Sequence, residues 1–431
     1  MSTDTTGTDT TGTDNTHTDT TRTDATGGDT DAGKGAGRGS RFVPLLAVGA
    51  FALGLDAYVM AGLLPDVASG LRVSEASAGQ MVTVFTLCYA LAAPVFATAL
   101  AGRPAKVVLA CALAVFSVGN ALSALAPSLP VLLLARALAG IGAGLYSPTA
   151  AATAAGLAGE ERRGRSLALV MGGMSIGTVV GVPLGVMLAE HMGWRGTLWL
   201  ITALGLLALA GIALLPTTTA GPPPALRDRV RILTDGRVAG IAVVSLLGGI
   251  ASLGLYTYLA PFLKDAAGSG DTVGPMWAWG AGGVAGSLLI GRIVDRTRRP
   301  FAVVTGVLTL LTVAHLALPS AAGTSWLLFV PLVVWGAAGW ALQVPQQHQL
   351  IAAQPQQAPV AVALNSSAVY LGSAIGSALG GTVIAAGTAP AALPYCTAGL
   401  ALLGLLLHLT AVRHATRRGA AGRASDVPDE R

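Results

Sequence analysis

Phe42–Leu64 reads FVPLLAVGAFALGLDAYVMAGLL, a run of 23 residues that is apolar except for one acid, Asp56. A helix rises about 1.5 Å per residue, so this run crosses the ~30 Å hydrocarbon core of a bilayer. Asp56 then lies about 21 Å from the end marked by Arg41, well inside lipid depth. A carboxylate there costs at least about 2.5–3.5 kcal/mol unless it faces protein or water. No other acid lies deep inside an apolar run of this chain. Asp56 is therefore read as a proton or ligand site, with a carboxylate that only pins two helices together as the plainer alternative.

The rest of the composition agrees with a membrane setting. Of 431 residues, 53% are hydrophobic and 11% charged, with a mean hydropathy of +0.66. Soluble domains carry about 25% charged residues, so the chain is expected to be an all-α polytopic membrane protein. Its 57 glycines suit close helix packing in lipid. Cys88, Cys111 and Cys396 lie in apolar runs with no metal-ligand or disulfide spacing, and no metal is expected. Basic residues sit in short loops and tails without interleaved aromatics, which argues against nucleic acid as a partner.

Run lengths predict twelve spans, at about 42–64, 78–101, 107–126, 130–156, 166–190, 196–216, 238–262, 274–293, 301–319, 326–344, 358–386 and 391–412. Residues 1–40 are a Thr/Asp/Gly tract expected to be a disordered tail. Residues 41–216 and 238–412 form two halves of six spans, and 413–431 form a tail. Residues 217–237, with Pro222, Pro223 and Pro224 and the patch LRDRVRILTDGR, form a linker. With residue 41 inside, the inner loops hold Arg103, Lys106, Arg162, Arg163, Arg165, Arg227, Arg229, Arg231, Arg237, Arg296, Arg298 and Arg299. The outer loops hold only Arg72, Arg195 and Lys264. That asymmetry places both termini in the cytoplasm.

The halves look like repeats. ALAGRPAKVVL follows the second span, and Gly291-Arg292-Ile293-Val294-Asp295-Arg296-Thr297-Arg298-Arg299 follows the eighth. Each is a small-residue helix end, a basic turn and a new apolar helix, as in transporters built from two parallel six-span halves. Over residues 42–412 the chain resembles the major facilitator superfamily, in its twelve-span drug:proton antiporter branch. Gly291, Asp295, Arg296 and Arg299 match its loop motif G-x-x-x-D-R-x-G-R-[RK], with Arg298 where the motif has glycine. In the first half Ala101 and Gly102 replace the acid region, so the second copy is expected to carry the inner gate.

Further motifs follow from that resemblance. Arg136 with Gly140, Gly142 and Gly144 matches R-x-x-x-G-x-G-x-G in the fourth span. Counted from the outer side, Arg136 lies about 9 Å deep, which matches the depth of Asp56 in a ~30 Å core. It is read as a proton-coupling or substrate-orienting cation, against a purely structural bond to carbonyls. In the fifth span Gly173, Gly177, Gly181 and Gly185 make one smooth face, and Pro183 is expected to kink it. Gly181-Val182-Pro183-Leu184-Gly185 resembles the antiporter signature, and the export direction rests on that resemblance. Cavity candidates are Tyr146, Met171, Met174, Tyr256, Trp335, Gln343 and Asn365. The helix carrying Gln343, Gln346, Gln347, His348 and Gln349 is expected to end near Pro345, with the glutamines at the cytoplasmic mouth. His315 and His408 are expected as packing residues.

No nucleotide-binding loop G-x-x-x-x-G-K-[ST] is present, so the energy source is expected to be an ion gradient, with no cofactor. The expected protein is a proton-coupled exporter of small organic molecules in the inner membrane, a monomer working by alternating access between protons and substrate. An exporter of sugars, nucleosides or amino acids with the same fold is the alternative. A membrane enzyme or scaffold is the remote one, since an enzyme needs clustered His, Asp or Glu at one depth.

Overall fold

The computed structural model describes residues 40–99, 103–158, 163–215, 234–268, 272–324, 326–354 and 358–425. The tail at 1–39, Ala101, Gly102, Arg162 and the Pro222–Pro224 segment of the linker lie outside the described residues. Among those described, the chain is helix and turn without strand. In order the helices are α1 (Val43–Gly62), α2 (Leu64–Leu71), α3 (Glu75–Ala99), α4 (Ala105–Leu125), α5 (Leu129–Ala158), α6 (Arg163–Ile176), α7 (Val182–Ala213), α8 (Gly236–Thr257), α9 (Leu259–Ala267), α10 (Val273–Thr297), α11 (Pro300–Ala321), α12 (Phe329–Ala341), α13 (Gln343–Ala353), α14 (Ala358–Ala385) and α15 (Leu393–Ser425).

Nine stretches among the described residues are long and apolar enough to cross a membrane. One of them, Arg165–Ala213, joins two of the expected spans end to end, and the chain turns between them at Gly193, whose φ is 70°. A side chain is disfavoured at that φ, and glycine has none. The 25-residue α3 and the joined α12 and α13 occupy the remaining two expected positions.

Three expectations are corrected. The helix end expected near Pro345 is only a one-residue break, with α12 closing at Ala341 and α13 opening at Gln343. Leu342 stays helical at φ −62° and ψ −30°, and the chain runs on as α13 to Ala353. Pro345 falls in the first turn of α13, where its missing N–H leaves no bond unmade. The last helix runs past residue 412 to Ser425. In the fifth span the distortion precedes the proline: Gly177–Gly181 form a π-helical turn, and Pro183 sits in the first turn of α7.

The packing repeats between the halves. α1 lies on α6 and α7, α3 on α5, and α4 on α5 and α7. In the second half α8 lies on α14, α10 on α12, and α11 on α12 and α15. The closest approaches carry the same register. A Cβ on Gly173 or Gly177 would strike the carbonyl oxygens of Ala47 and Phe51, and one on Gly372 or Gly376 those of Leu246 and Ile250. A single shift in numbering relates both glycine pairs and both partner pairs. Between the halves the main contact is α3 against α14, with α10 against the π turn and α7.

That contact is tight at the end carrying the connection 72–74 between α2 and α3. Ser377 Oγ donates to the Gly79 carbonyl at 3.1 Å, and Tyr258 Oη donates to the Ser377 carbonyl at 2.7 Å. The Tyr258 hydroxyl abuts Gly79, and Met276 and Val186 close on Gly62.

Candidate functional site

The middle of the first half holds a polar centre built from three helices. Asp56 on α1 and Arg136 on α5 are 0% and 1% exposed, and Asn120 on α4 is 0% exposed. Arg136 Nη1 donates to Asp56 Oδ1 at 2.7 Å and to Asn120 Oδ1 at 3.2 Å. Asn120 Nδ2 donates to Asp56 Oδ2 at 3.2 Å and to the Phe116 carbonyl at 3.1 Å. Both carboxylate oxygens are thus occupied. The guanidinium also lies 4.2 Å from the centre of the Phe85 ring on α3, where the ring's negative face adds attraction. The buried Arg136 Nε has no acceptor among the described residues.

Helix geometry explains the meeting. Two residues at equal depth on neighbouring helices need only the right rotation, and the small residues around Arg136 provide the room. Gly140 packs on the Phe85 carbonyl and Gly142 on α4 at Ala112 and Phe116. Asn120 and Phe85 were not singled out from the sequence. Asn120 had a signal there, since it is a lone amide in the apolar run of α4. The register shift that relates α1 and α6 to α8 and α14 carries Asp56 onto Leu255, and α12, which stands where α5 does, holds no charged residue. The second half therefore has no charged counterpart at this place.

It has aromatic rings instead. Tyr256 on α8 lies 4.1 Å from Trp279 on α10, and Trp335 stands 6.0 Å from Trp279. Tyr58, one helical half-turn beyond Asp56, reaches across to this group at 5.8 Å from Tyr256, 6.0 Å from Trp279 and 5.8 Å from Trp340. Tyr370 on α14 lies 3.9 Å from Tyr89 on α3. Its hydroxyl is within hydrogen-bonding reach of both Tyr58 and Tyr89. Trp335 Nε1 donates to Ser252 Oγ at 2.9 Å, whereas the buried Trp279 Nε1 has no partner among the described residues. An unpaired buried donor costs about 1–3 kcal/mol. Of these rings the sequence reading chose Tyr256 and Trp335 as cavity candidates and left Trp279 and Trp340 open between interface belts and cavity walls.

The other candidates fall elsewhere. Tyr146 is buried, and its hydroxyl donates to the Leu46 carbonyl at 2.9 Å, tying α5 to α1. Met171 is 44% exposed on α6, and the backbone of Met174 packs on Gly54. Gln343 and Asn365 join a chain of amides: Ser245 Oγ donates to Asn365 Oδ1 at 2.6 Å, and Asn365 Nδ2 donates to Gln343 Oε1 at 3.1 Å. Gln346 and Gln349 are buried rather than at an open mouth, with Gln346 Oε1 and Gln349 Nε2 unpartnered among the described residues.

Gly177, Gly181 and Gly185 face Phe51, Leu55 and Val59 on α1. Gly291 has open space beside it, Arg296 and Arg299 are exposed, and the side chain of Asp295 lies outside the described residues. His408 Nε2 bonds the Phe301 carbonyl at 2.9 Å. His315 stands edge-on to Trp335 at 5.3 Å, without a well-formed hydrogen bond among the described residues. No group of three His, Cys, Asp or Glu among the described residues is placed to hold a metal.

Comparison with known proteins gives a consistent answer. The profile of the Major Facilitator Superfamily matches residues 46–358. Inner membrane transport protein YdhP of Escherichia coli (strain K12) is 30% identical over 371 residues, which cover 85% of this chain and 95% of that protein. The uncharacterized MFS-type transporter YbcL of Bacillus subtilis (strain 168) is 31% identical, covering 79% of this chain and 88% of its own length. A chloramphenicol resistance protein of Streptomyces lividans is 33% identical, covering 69% of this chain and 77% of its own.

Proposed function

The chain belongs to the major facilitator superfamily of membrane transporters, and from that premise we propose that it exports small organic molecules in exchange for protons. The observation that carries the reading is the buried Asp56–Arg136–Asn120 centre. A lone acid inside a span is costly unless paired, and here its pairing can be undone by a proton. In the ionised state Asp56 holds Arg136 and Asn120, and so ties α1 to α4 and α5. A proton on the carboxylate removes the charge that Arg136 attracts, and the three helices lose that tie. The substrate sits between the halves beside the tyrosine and tryptophan rings, and the halves rock about it.

The export direction is supported by the Gly181–Gly185 segment, which resembles the antiporter signature, and by likeness to the chloramphenicol resistance protein. Likeness to an inner membrane transport protein supports the inner membrane as its location, the placing of the basic loops supports cytoplasmic termini, and the monomer is taken as the working unit. Residues 41–216 and 238–412 are the two moving halves. The amide chain Ser245–Asn365–Gln343 favours a second reading, in which the exported molecule is a sugar, nucleoside or amino acid.

Everted membrane vesicles with an imposed proton gradient test the function. Gradient-dependent uptake of one or more of a panel of antibiotics, sugars and nucleosides is expected, abolished by a proton ionophore. Uptake that ignores the ionophore, or none across the panel, overturns the reading.

A further inference from the structure

We propose that Phe85 carries the protonation state of Asp56 to the contact between the halves, by taking over the Arg136 guanidinium when the carboxylate is neutralised. The proposal rests on the proton-exchange reading above and names a positioning residue of that same site.

The starting point is how Arg136 is held. Its guanidinium meets two sources of negative potential: the Asp56 carboxylate on α1 at 2.7 Å, and the face of the Phe85 ring on α3 at 4.2 Å. Arg136 and Phe85 are each 1% exposed. With the carboxylate ionised, carboxylate and ring share the cation. A proton on Asp56 removes the stronger of the two. Asn120 Oδ1 keeps its single bond at 3.2 Å, and Arg136 Nε has no acceptor among the described residues. The ring then faces an uncompensated charge, and a cation–π contact gains strength in a desolvated setting. The hold on Arg136 passes from α1 to α3.

α3 is the helix through which the first half chiefly meets the second. Phe85 and Tyr89 stand one turn apart on it, with ring centres 6.3 Å apart. Tyr89 in turn packs on Tyr370 of α14 at 3.9 Å. A line of rings thus leads from the guanidinium to the second half. The backbones beside this line are pinned, because Gly140 and Gly144 seat α5 on the Phe85 and Tyr89 carbonyls with no room for a Cβ. A change at Arg136 therefore travels through the rings, not by α3 sliding along α5.

Among the described residues the charged group facing Asp56 is Arg136. α4 brings the neutral Asn120, and α6, the π turn and α7 turn glycines toward α1. α5 also brings Tyr146, bonded to the Leu46 carbonyl, and α8 brings Tyr256 against Tyr58. Toward the ends of α1, Arg41 is exposed, Asp66 on α2 lies within electrostatic reach of Glu190 on α7, and Lys264 and Asp265 on α9 are exposed.

The test reads the seam between α3 and α14 as a function of pH. Ala76 on α3 is buried beside Gly381 on α14. With Cys88, Cys111 and Cys396 replaced by Ser, the full chain carrying Ala76→Cys is modified by a maleimide in nanodiscs. Each rate is divided by that of the detergent-unfolded chain at the same pH, which cancels the thiol's own ionisation. The corrected rate is expected to change at least about fivefold between mildly acid and mildly alkaline buffer. Phe85→Leu keeps an apolar side chain and removes the π face. It should reduce that change to less than about twofold, and Phe85→Trp should retain it. A purely structural role would alter both rates together and leave their ratio. The ratio kept in Phe85→Leu, or lost equally in Phe85→Trp, overturns the proposal. So does a parent rate that ignores pH. So does a ratio that survives Asp56→Asn, since the outer carboxylates Asp66 and Glu190 are then the titrating groups. If Phe85→Leu fails to assemble, Tyr89→Leu cuts the next link: a flattened ratio supports the line of rings, and an unchanged one overturns it. Labelling needs neither substrate nor gradient. Proton-driven uptake with the ratio kept in Phe85→Leu sinks this proposal alone. No uptake, with the ratio lost in Phe85→Leu, sinks the exporter reading alone.

Discussion

Asp56 accepts one bond from Arg136 and one from Asn120, and the two donors answer substitution differently. Asp56→Asn leaves a neutral amide of the same shape, cheaper to bury than a charge. The variant is expected to reach the membrane at near-normal level and to lose gradient-driven uphill export. Uphill export equal to wild type in proton-loaded vesicles would move the proton site elsewhere, with His315 and His408 next to test. Arg136→Ala strands a buried carboxylate, a loss of about 3–5 kcal/mol. Its membrane level, measured by quantitative blotting, should fall well below that of Asp56→Asn. A level equal to that of Asp56→Asn would mean that the pair carries little of the fold.

At the scale of one helix, the second copy of the loop motif has a physical reading. Arg298 closes α10 at φ 50°, the left-handed region where the family motif has glycine. A side chain there costs roughly 1–2 kcal/mol, so Arg298→Gly should raise thermal stability in detergent. An unchanged or lower melting temperature would mean that contacts of the arginine outweigh the strain. The start of α8 is held by Asp235, whose carboxylate accepts from the Arg237 backbone N–H at 2.8 Å and from Gln354 Nε2 at 2.8 Å. The Arg237 backbone bond above all, against burial, which pushes it up, and with help from the Gln354 amide, holds this carboxyl below its usual range. A lowered value means that the cap contributes above the unfolded carboxyl value of about 3.9 and is lost as pH falls through the lower folded value. Asp235→Ala should therefore cost about 0.5–2 kcal/mol at neutral pH. The difference from wild type should shrink in acid, as read by thermal melts across pH.

At the scale of the molecule, the halves meet tightly at one end, where Tyr258 is wedged against Gly79 and Ser377 bridges to the Gly79 carbonyl. In the orientation given by the basic loops this end is the outer one. Gly79→Leu fills the seat of the Tyr258 hydroxyl and should hold that end apart. In a background with Cys88, Cys111 and Cys396 replaced by Ser, an Ala76→Cys label site is buried against Gly381. Its modification from outside should speed up several-fold with Gly79→Leu, and transport should slow. Unchanged labelling would show that this seam is not the outer closure.

The sequence by itself determined what depends on the bilayer. Apolar runs of span length, one buried acid and one buried base were legible because lipid penalises every charge and every unpaired backbone group. The equal depth of Asp56 and Arg136 was legible too, since rise per residue is fixed. Only the tertiary structure decided what depends on rotation about helix axes and on long-range register. It chose Asn120 over other polar residues as the third member, turned Tyr146 into a tie to α1, and left Met171 on the outside. It brought Tyr58, Trp279 and Trp340 from separate spans into one packed cluster of rings. It also carried the tenth span through Pro345, because a proline in the first turn of a helix forfeits no hydrogen bond. Apolar periodicity is nearly silent inside a membrane, where a helix is apolar on every side, so which face meets which was written only in the packing.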